Sequence, residues 1–272
     1  MGQDLLFTET EWNAAMPRVA AAMTAYLRQY RTAIYEHRDD YGQGWGSGSY
    51  LRLGSRIFIL TNEHVAHVRA RQKTLTYQFD GQIDIRRIVG DHYEYPAPLD
   101  LALLPVCMAA WSDPSNASKA IEIDQIAIGH NPVPTELLTF SGVSGSNVKF
   151  HFDTLFATGT CYTARETVLP QNDQLTTRYH FGLDYRPDLA SIVTGDQDLP
   201  LPPGLSGSTV WNTGFVEAKM RGVTWAPEFA KVTGVVWGWP STHGCLIATR
   251  AEFLRSFLLA PCCLELDAAA TS

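Results

Sequence analysis

The N-terminal part of the chain carries an apolar pattern with the period of an α-helix. Thr8-Glu9-Thr10-Glu11 has the form of a capping box. Apolar side chains then recur at three- and four-residue spacing: Trp12, Met16, Val19, Met23 and Leu27. This spacing predicts an amphipathic helix to about Tyr35, with Pro17 kinking it or marking its start. We expect the apolar stripe to pack on the core, the alternative being a surface that binds a partner protein.

From Gly44 onward the pattern changes to short β-rich runs separated by turn residues. The runs before residue 130 are 49–53, 56–61, 74–79, 83–89, 101–106 and 123–128. The runs after the connector Asn131-Pro132-Val133-Pro134 are 136–141, 149–160, 174–183, 208–211, 222–223, 233–237 and 245–248. Runs of this length and spacing are typical of an all-β sandwich or barrel. The pattern therefore predicts two β halves joined by a proline-containing connector.

A second capping box opens a C-terminal helix. Thr249-Arg250-Ala251-Glu252 is followed by apolar residues at helical spacing, and Pro261 ends the pattern. These patterns predict three parts: a helical extension over 1–43, a β domain over 44–262 with its internal junction near 130–135, and a tail over 263–272.

Composition excludes several classes of protein. The 272 residues are 45% hydrophobic and carry a net charge of -7, with no Lys/Arg-rich run. Nucleic-acid binding normally needs a basic stripe, so we expect no nucleic acid as a partner. We also expect no membrane span, because no run of eighteen apolar residues occurs. Since no secretory signal is visible at Met1-Gly2-Gln3, the expected location is the cytoplasm.

The cysteines and histidines of the chain show no pattern typical of a disulfide framework or a metal site. The five cysteines form an odd set that includes the adjacent Cys262 and Cys263, which argues against a disulfide framework. His64 and His67 form an HxxH pair, but the sequence shows no further ligands for it. We therefore expect neither a metal nor a cofactor.

Three segments each hold one residue type of a nucleophilic triad: Thr61-Asn62-Glu63-His64-Val65, Asp100-Leu101-Ala102-Leu103-Leu104 and Gly204-Leu205-Ser206-Gly207-Ser208. A serine hydroxyl becomes an effective nucleophile when a histidine accepts its proton and a carboxylate orients that histidine. We predict Ser206 as the nucleophile, His64 as the base and Asp100 as the orienting carboxylate. The amide N–H groups of Gly204 and Ser206 are the predicted oxyanion hole.

Each segment also has an ordinary structural interpretation. A Gly-Ser-rich stretch after two prolines is typical of a turn, His64 suits an exposed loop, and Asp100 suits the turn before a strand. No single segment decides between the two interpretations. Their joint presence, in the order His, Asp, Ser, favours the catalytic one.

In this order the three segments resemble the catalytic motifs of chymotrypsin-like (trypsin-like) serine peptidases. The first segment is similar to that of the bacterial high-temperature-requirement proteases, and the third, with Trp211-Asn212 after it, to that of the bacterial glutamyl endopeptidases. Gly46-Ser47-Gly48 also fits, and the resemblance covers about residues 44–259. It implies two packed antiparallel six-stranded β-barrels with a helix at each end, and peptide-bond hydrolysis of a protein or peptide substrate.

The resemblance also implies a substrate-binding segment and raises questions of specificity. Val236, Trp237 and Gly238 match the segment whose backbone pairs with a substrate strand, the alternative being that Trp237 and Trp239 are core or edge aromatics. Pro200 replaces the aspartate that trypsin-like enzymes place six residues before the serine, although Asp196 or Asp198 could reach the pocket if the loop differs. Val236 replaces the histidine of the glutamyl endopeptidases. We therefore expect an apolar or small P1 residue.

Two further questions stay open at the level of sequence. Activity could be gated by loop ordering or by a protein partner bound through the N-terminal helix. Alternatively, the chain could be a catalytically silent relative that uses its groove to bind a protein strand, although three intact triad positions argue against this.

Overall fold

Two seven-stranded antiparallel sheets form the body of the protein. The computed structural model describes residues 8–38, 41–68, 73–151, 154–187, 190, 199–240 and 244–260. The first sheet consists of β1 (Arg31–Arg38), β2 (Tyr41–Leu53), β3 (Arg56–Thr61), β4 (Thr74–Gln78), β5 (Ile85–Arg87), β6 (Tyr93–Tyr95) and β7 (Leu101–Pro105). Its strand order is β5-β4-β1-β2-β3-β7-β6.

The second sheet follows along the chain. It consists of β8 (Leu138–Gly142), β11 (Thr160–Ala164), β12 (Glu166–Thr167), β13 (His180–Asp184), β14 (Thr209–Asn212), β15 (Lys231–Gly238) and β16 (Cys245–Arg250), in the order β11-β8-β14-β15-β16-β13-β12. A separate hairpin pairs β9 (Val148–His151) with β10 (Thr154–Ala157). The predicted all-β class with two antiparallel β units is confirmed, with seven strands instead of six in each sheet of the described residues.

Within the described residues, five α-helices accompany the sheets: α1 (Glu9–Leu27), α2 (Glu63–Ala66), α3 (Met108–Trp111), α4 (Phe215–Met220) and α5 (Ala251–Leu258). Thr8 caps α1 through the predicted capping box, and the helix continues through Pro17. No helix in the described ranges is long and apolar enough to cross a membrane.

The predicted helix to Tyr35 is wrong in its last part. α1 ends at Leu27, and after a short 3-10 turn the chain enters β1, which pairs with both β2 and β4. Thr32 and Ile34 are β-branched and buried in this strand, so sheet pairing prevails over the helical spacing upstream. Residues 123–128 likewise contain a 3-10 turn instead of the predicted strand. The division into 1–43, 44–262 and 263–272 stays a prediction.

The apolar core of the described residues has one cluster in each sheet, a large cluster that joins the sheets and a small one of Ala33, Tyr35 and Val143. The joining cluster brings Met23 of α1 and Leu254 of α5 together with Leu60 and Leu103 of the first sheet and Trp211 of the second. All five side chains are nearly or fully inaccessible to solvent. The terminal helices are thus part of the packed body, as expected for α1 from its apolar stripe.

Candidate active site

His64 and Asp100 meet at one edge of the first sheet because β3 and β7 are antiparallel neighbours. Thr61, the last residue of β3, pairs with Ala102 near the start of β7. His64 lies just after β3 in α2, and Asp100 lies just before β7. The ends of the two strands therefore bring both residues to the same place.

The Asp100 carboxylate makes two short contacts with His64, one to its ring and one to its backbone N–H. His64 Nδ1 lies 2.6 Å from Asp100 Oδ2, and the His64 backbone N–H donates to Asp100 Oδ1 over 2.9 Å. The Asp100 side chain is 9% exposed, while that of His64 is 46% exposed. An ionised Asp100 fixes the Nδ1–H tautomer of His64, so the other ring nitrogen, Nε2, is free of its proton and can act as a base.

Three consecutive backbone carbonyls hold the loop that carries Asp100. Pro98 O accepts from His180 Nε2, Leu99 O from Thr249 Oγ1 and Asp100 O from Asn62 Nδ2, each over 2.8 Å. Asp100 itself adopts φ = 50°, a left-handed conformation that costs energy for a residue other than glycine. The three hydrogen bonds stabilise this strained position, and two of their donors belong to the second sheet.

His180 is held in its neutral form. Its Nδ1 accepts from the Thr176 backbone N–H over 3.3 Å, so the proton that is donated to Pro98 O resides on Nε2. Burial lowers the pKa of His180 below 6.5, with the bond to Pro98 O acting in the opposite direction. Sequence reasoning did not find His180 or Thr249, because nothing local in either strand indicates a contact with the Asp100 loop.

The loop around Ser206 is docked on the first sheet. The Ser47 N–H donates to Ser206 O over 2.7 Å. A Cβ added to Gly207, whose φ is +89°, would lie 2.0 Å from Ser47 O and 2.3 Å from Thr61 Oγ1. A Cβ added to Gly46 would meet both Val65 and Ser206 O, so the segment after His64 approaches Ser206 across Gly46. The structure thus brings the His64 and Ser206 segments together.

Ser47 connects the two sheets at this point. Its hydroxyl donates to Gly204 O over 2.7 Å and accepts from the Val143 N–H over 2.8 Å, and its carbonyl accepts from Thr61 Oγ1 over 2.7 Å. Ser47 is fully buried, so each of these polar groups would be costly to leave unpaired. The predicted Gly-Ser-Gly entry therefore anchors residues 204–208, which we call the nucleophile loop after the predicted role of Ser206.

The Ser206 hydroxyl and the amides of Gly204 and Ser206 are the groups predicted to act on a substrate. Within the described residues, the amide N–H groups of Gly204 and Ser206 donate no hydrogen bond, and Ser206 Oγ makes none with His64. Hydrogen bonds of this kind are often long before a substrate binds. The arrangement leaves one hydroxyl and two amide donors for a ligand.

Val236, Trp237 and Gly238 form the end of β15. Val236 N–H donates to Ser208 O over 2.9 Å, and Val236 O accepts from Gly207 N–H over 2.8 Å. Trp237 and Gly238 lie beyond this pairing, and the Trp237 ring is 5.2 Å from the ring of His180. The Val236 N–H and carbonyl already pair with the segment after Ser206. Of the predicted substrate-pairing segment, the backbone of Trp237 and Gly238 remains for pairing with a substrate.

The positions predicted to bear on specificity are only partly within the described residues. Pro200 O accepts from the hydroxyl of the buried Tyr185, in a region packed with Leu199 and Trp239. Asp196 and Asp198 lie outside the described residues, as do Cys262 and Cys263. Cys107, Cys161 and Cys245 are free thiols.

A group of three side chains with possible metal-ligand atoms lies beside the proposed triad. Donor atoms of Glu63, His67 and Glu94 all lie within 4.8 Å of one another. His64 does not join them through Nδ1, because that nitrogen is bonded to Asp100. The structure therefore separates the two histidines of the HxxH pair.

Comparisons with known proteins find similar solved structures. No protein-family model matches the chain, and no curated protein matches its sequence. The serine protease domain of the Sesbania mosaic virus polyprotein is 14% identical, with 85% of this chain and 92% of that chain covered and a TM-score of 0.47.

Two other solved structures are alike to a similar degree. Tobacco etch virus protease complexed with product is 12% identical, with 88% and 81% of the two chains covered and a TM-score of 0.45. The Rv3671c protease in its inactive form is 15% identical, with 90% and 93% covered and a TM-score of 0.47. Nothing about activity or substrate follows from likenesses this low.

Proposed function

We propose that the protein is a serine peptidase that hydrolyses peptide bonds of protein or peptide substrates. The observation that carries the proposal is the 2.6 Å contact of exposed His64 with buried Asp100, beside a loop that presents Ser206. A buried carboxylate in a strained conformation needs a compensating interaction, and orienting a catalytic base is one that explains its position.

The reaction begins at Ser206 Oγ. His64 Nε2 takes the hydroxyl proton as the oxygen attacks the carbonyl carbon of the substrate. The imidazolium that results is stabilised by the Asp100 carboxylate, which stays ionised. The negative charge moves to the former carbonyl oxygen, where the N–H groups of Gly204 and Ser206 can donate to it.

The intermediate then breaks down in two stages. His64 returns its proton to the departing amine, which leaves an acyl group on Ser206 Oγ. Water attacks this ester with His64 again acting as the base, and the carboxylic acid and free Ser206 are regenerated. Asp100 orients His64 throughout.

Substrate recognition is proposed at the end of β15. The backbone of Trp237 and Gly238 would pair with an extended substrate strand, so that affinity comes from main-chain hydrogen bonds. The apolar surroundings of Pro200, with Tyr185 and Leu199, support an apolar or small P1 residue. A library of peptides varied at P1 tests this, and preference for Arg or Glu would contradict it.

The peptidase proposal is tested with a fluorophosphonate probe, which forms a covalent bond with activated serines. The native chain should be labelled and Ser206→Ala should not. Ser55→Ala, which removes an exposed serine in the turn between β2 and β3, is the matched control and should label like the native chain. Equal labelling of the native chain and Ser206→Ala would exclude this mechanism.

A second candidate is a silent relative that binds a protein strand in the same groove. The observation in its favour is that Ser206 Oγ makes no hydrogen bond with His64 among the described residues. Failure to label the native chain, together with tight binding of an extended peptide, would favour this alternative.

Gating by a partner, the subtype of peptidase and the cellular location are further parts of the proposal. Gating by a partner would have to use the exposed face of α1, because Val19, Met23 and Leu27 are buried in the core. The kinship with high-temperature-requirement proteases or glutamyl endopeptidases and the cytoplasmic location stay predictions.

A further inference from the structure

Two elements bring a set of nitrogen and oxygen ligands together next to the proposed triad. Glu63 and His67 lie four residues apart at either end of α2, and Glu94 lies in β6. His67 Nδ1 is 3.1 Å from Glu63 Oε1 and 3.4 Å from Glu94 Oε1. One imidazole nitrogen thus faces two carboxylates from separate elements.

A protonated His67 does not fully account for this arrangement. The single hydrogen on Nδ1 can bond fully with only one of the two carboxylate oxygens, and the hydrogen bond to Glu94 Oε1, at 3.4 Å, is long. Surface ion pairs of this kind also contribute little to stability.

The two distances at His67 Nδ1 are close to those of a tetrahedral metal centre, and the three donor atoms all lie within 4.8 Å of one another. With zinc bonded to nitrogen or oxygen at about 2.0–2.2 Å, neighbouring ligands of a tetrahedron lie about 3.3–3.6 Å apart. The two separations at His67 Nδ1, 3.1 and 3.4 Å, need only small adjustments to reach this spacing.

The remaining oxygen of Glu94 is held by another histidine. Glu94 Oε2 lies 3.2 Å from His92 Nε2, two residues away on the same segment. A hydrogen bond to the second oxygen of a ligating carboxylate is the usual way in which proteins orient such a ligand. Glu94 is thereby aimed at His67 through Oε1.

We propose that Glu63, His67 and Glu94 bind Zn²⁺, with water completing the tetrahedron. Two carboxylates and a neutral imidazole balance the charge of the ion. The sequence showed no partners for His67, and the structure supplies them from Glu63 on the same short helix and from β6.

The ion would join the elements on either side of the triad. α2 also carries His64, and β6 pairs with β7, which begins directly after Asp100. Bound zinc would therefore hold α2 against the β6–β7 hairpin, and we expect it to raise the melting temperature of the full chain.

The test is titration of the full chain with Zn²⁺ by calorimetry and with Co²⁺ by visible absorption. The native chain should bind one ion with the absorption of tetrahedral cobalt. His67→Gln and Glu94→Gln should each weaken binding by at least about 10-fold, the lower end of what loss of even an outer contact costs. Each should also abolish the zinc-dependent rise in melting temperature.

Glu9→Gln and His37→Gln are the matched controls, because each changes an exposed residue of the same type elsewhere and should bind like the native chain. No saturable binding by the native chain would show that the three residues form only an ion-pair network and would overturn the proposal. Binding that His67→Gln and Glu94→Gln leave unchanged, or cobalt–thiolate absorption, would place the ion elsewhere and overturn it as well. Since the readout is binding, the result does not depend on peptidase activity.

Discussion

His64 and Asp100, at the edge of the first sheet, are held on several sides, whereas the hydroxyl and amide of Ser206, in a loop of the second sheet, have no hydrogen-bond partner in the part of the chain that the structure describes. Asp100 receives two hydrogen bonds on its carboxylate and one on its carbonyl. The backbone around Ser206 is anchored through Ser47 and Val236. The Ser206 hydroxyl makes no hydrogen bond with His64 among the described residues.

This difference indicates how the two halves of the proposed site are organised. Positioning the base and its carboxylate is accomplished by folding, so their geometry should not depend on substrate. The nucleophile loop is positioned by hydrogen bonds of its backbone and by the buried Leu205 side chain, which leaves the Ser206 hydroxyl and two amide donors for the substrate. Substitutions in the first half should therefore change reactivity, and substitutions in the second should change whether the loop forms at all.

The largest effect is expected for Asp100→Asn, which tests the first half. The asparagine N–H would donate to His64 Nδ1 and move the imidazole proton to Nε2, so the ring could not accept the proton of Ser206. We expect the rate of Ser206 labelling by a fluorophosphonate to fall by about 10⁴-fold, with the fold retained.

Asp84→Asn, at an exposed carboxylate whose side chain is 74% accessible, is the control for loss of a negative charge. It should label at the native rate. A folded Asp100→Asn protein that loses less than tenfold would show that the contact with His64 does not orient a base.

The second-largest effect is expected in the nucleophile loop, where replacement of Gly207 is compared with replacement of Gly222. Both glycines have positive φ. Gly207 and Gly222 have φ of +89° and +67°, but only Gly207 is enclosed. Gly222→Ala meets nothing within 4 Å, so it should cost only the left-handed strain, about 1–2 kcal/mol. Gly207→Ala should cost about 3–5 kcal/mol, because its methyl group must displace Ser47 O and Thr61.

Urea unfolding of both variants measures the difference, and labelling of Ser206 should fall in Gly207→Ala alone. Equal losses of stability in the two variants would show that the loop is not docked on Ser47 as described.

The sequence predicts residues that lie in a recognisable local motif better than residues that act through distant contacts. The contact between His64 and Asp100 was predictable because each lies in a short segment whose neighbours indicate a strand end, while the catalytic roles of His64, Asp100 and Ser206 stay predictions. The strand β1 was not predictable, because the helical spacing of α1 continues into it and it is a strand only through its pairing with β2 and β4.

The residues that hold the Asp100 loop could not be predicted from local pattern. His180 is 82 residues from Pro98, and Thr249 is 150 residues from Leu99. Each is one polar residue in a buried strand, and its role exists only after the second sheet has packed on the first. The zinc ligand Glu94 is similar, because β6 reaches α2 only through its pairing with β7.

The smallest effect concerns the contact between the halves at His180. Burial lowers its pKa, so the folded state disfavours the protonated ring. The stabilisation is complete above pH 6.5, the ordinary value, and is lost as the pH falls below it toward the folded-state pKa. Each unit by which the pKa is lowered corresponds to about 1.4 kcal/mol.

His180→Gln keeps an N–H donor for Pro98 O but cannot be protonated, so its free energy of unfolding should fall less than that of the native chain between pH 7 and pH 5. Urea unfolding at both pH values measures this, with His37→Gln as the control for loss of an exposed histidine. If His180→Gln and His37→Gln lose the same stability on acidification, His180 does not supply a pH-dependent link between the second sheet and the Asp100 loop. A smaller loss in His180→Gln alone would show that the acid–base half of the site depends on a neutral histidine in the other sheet.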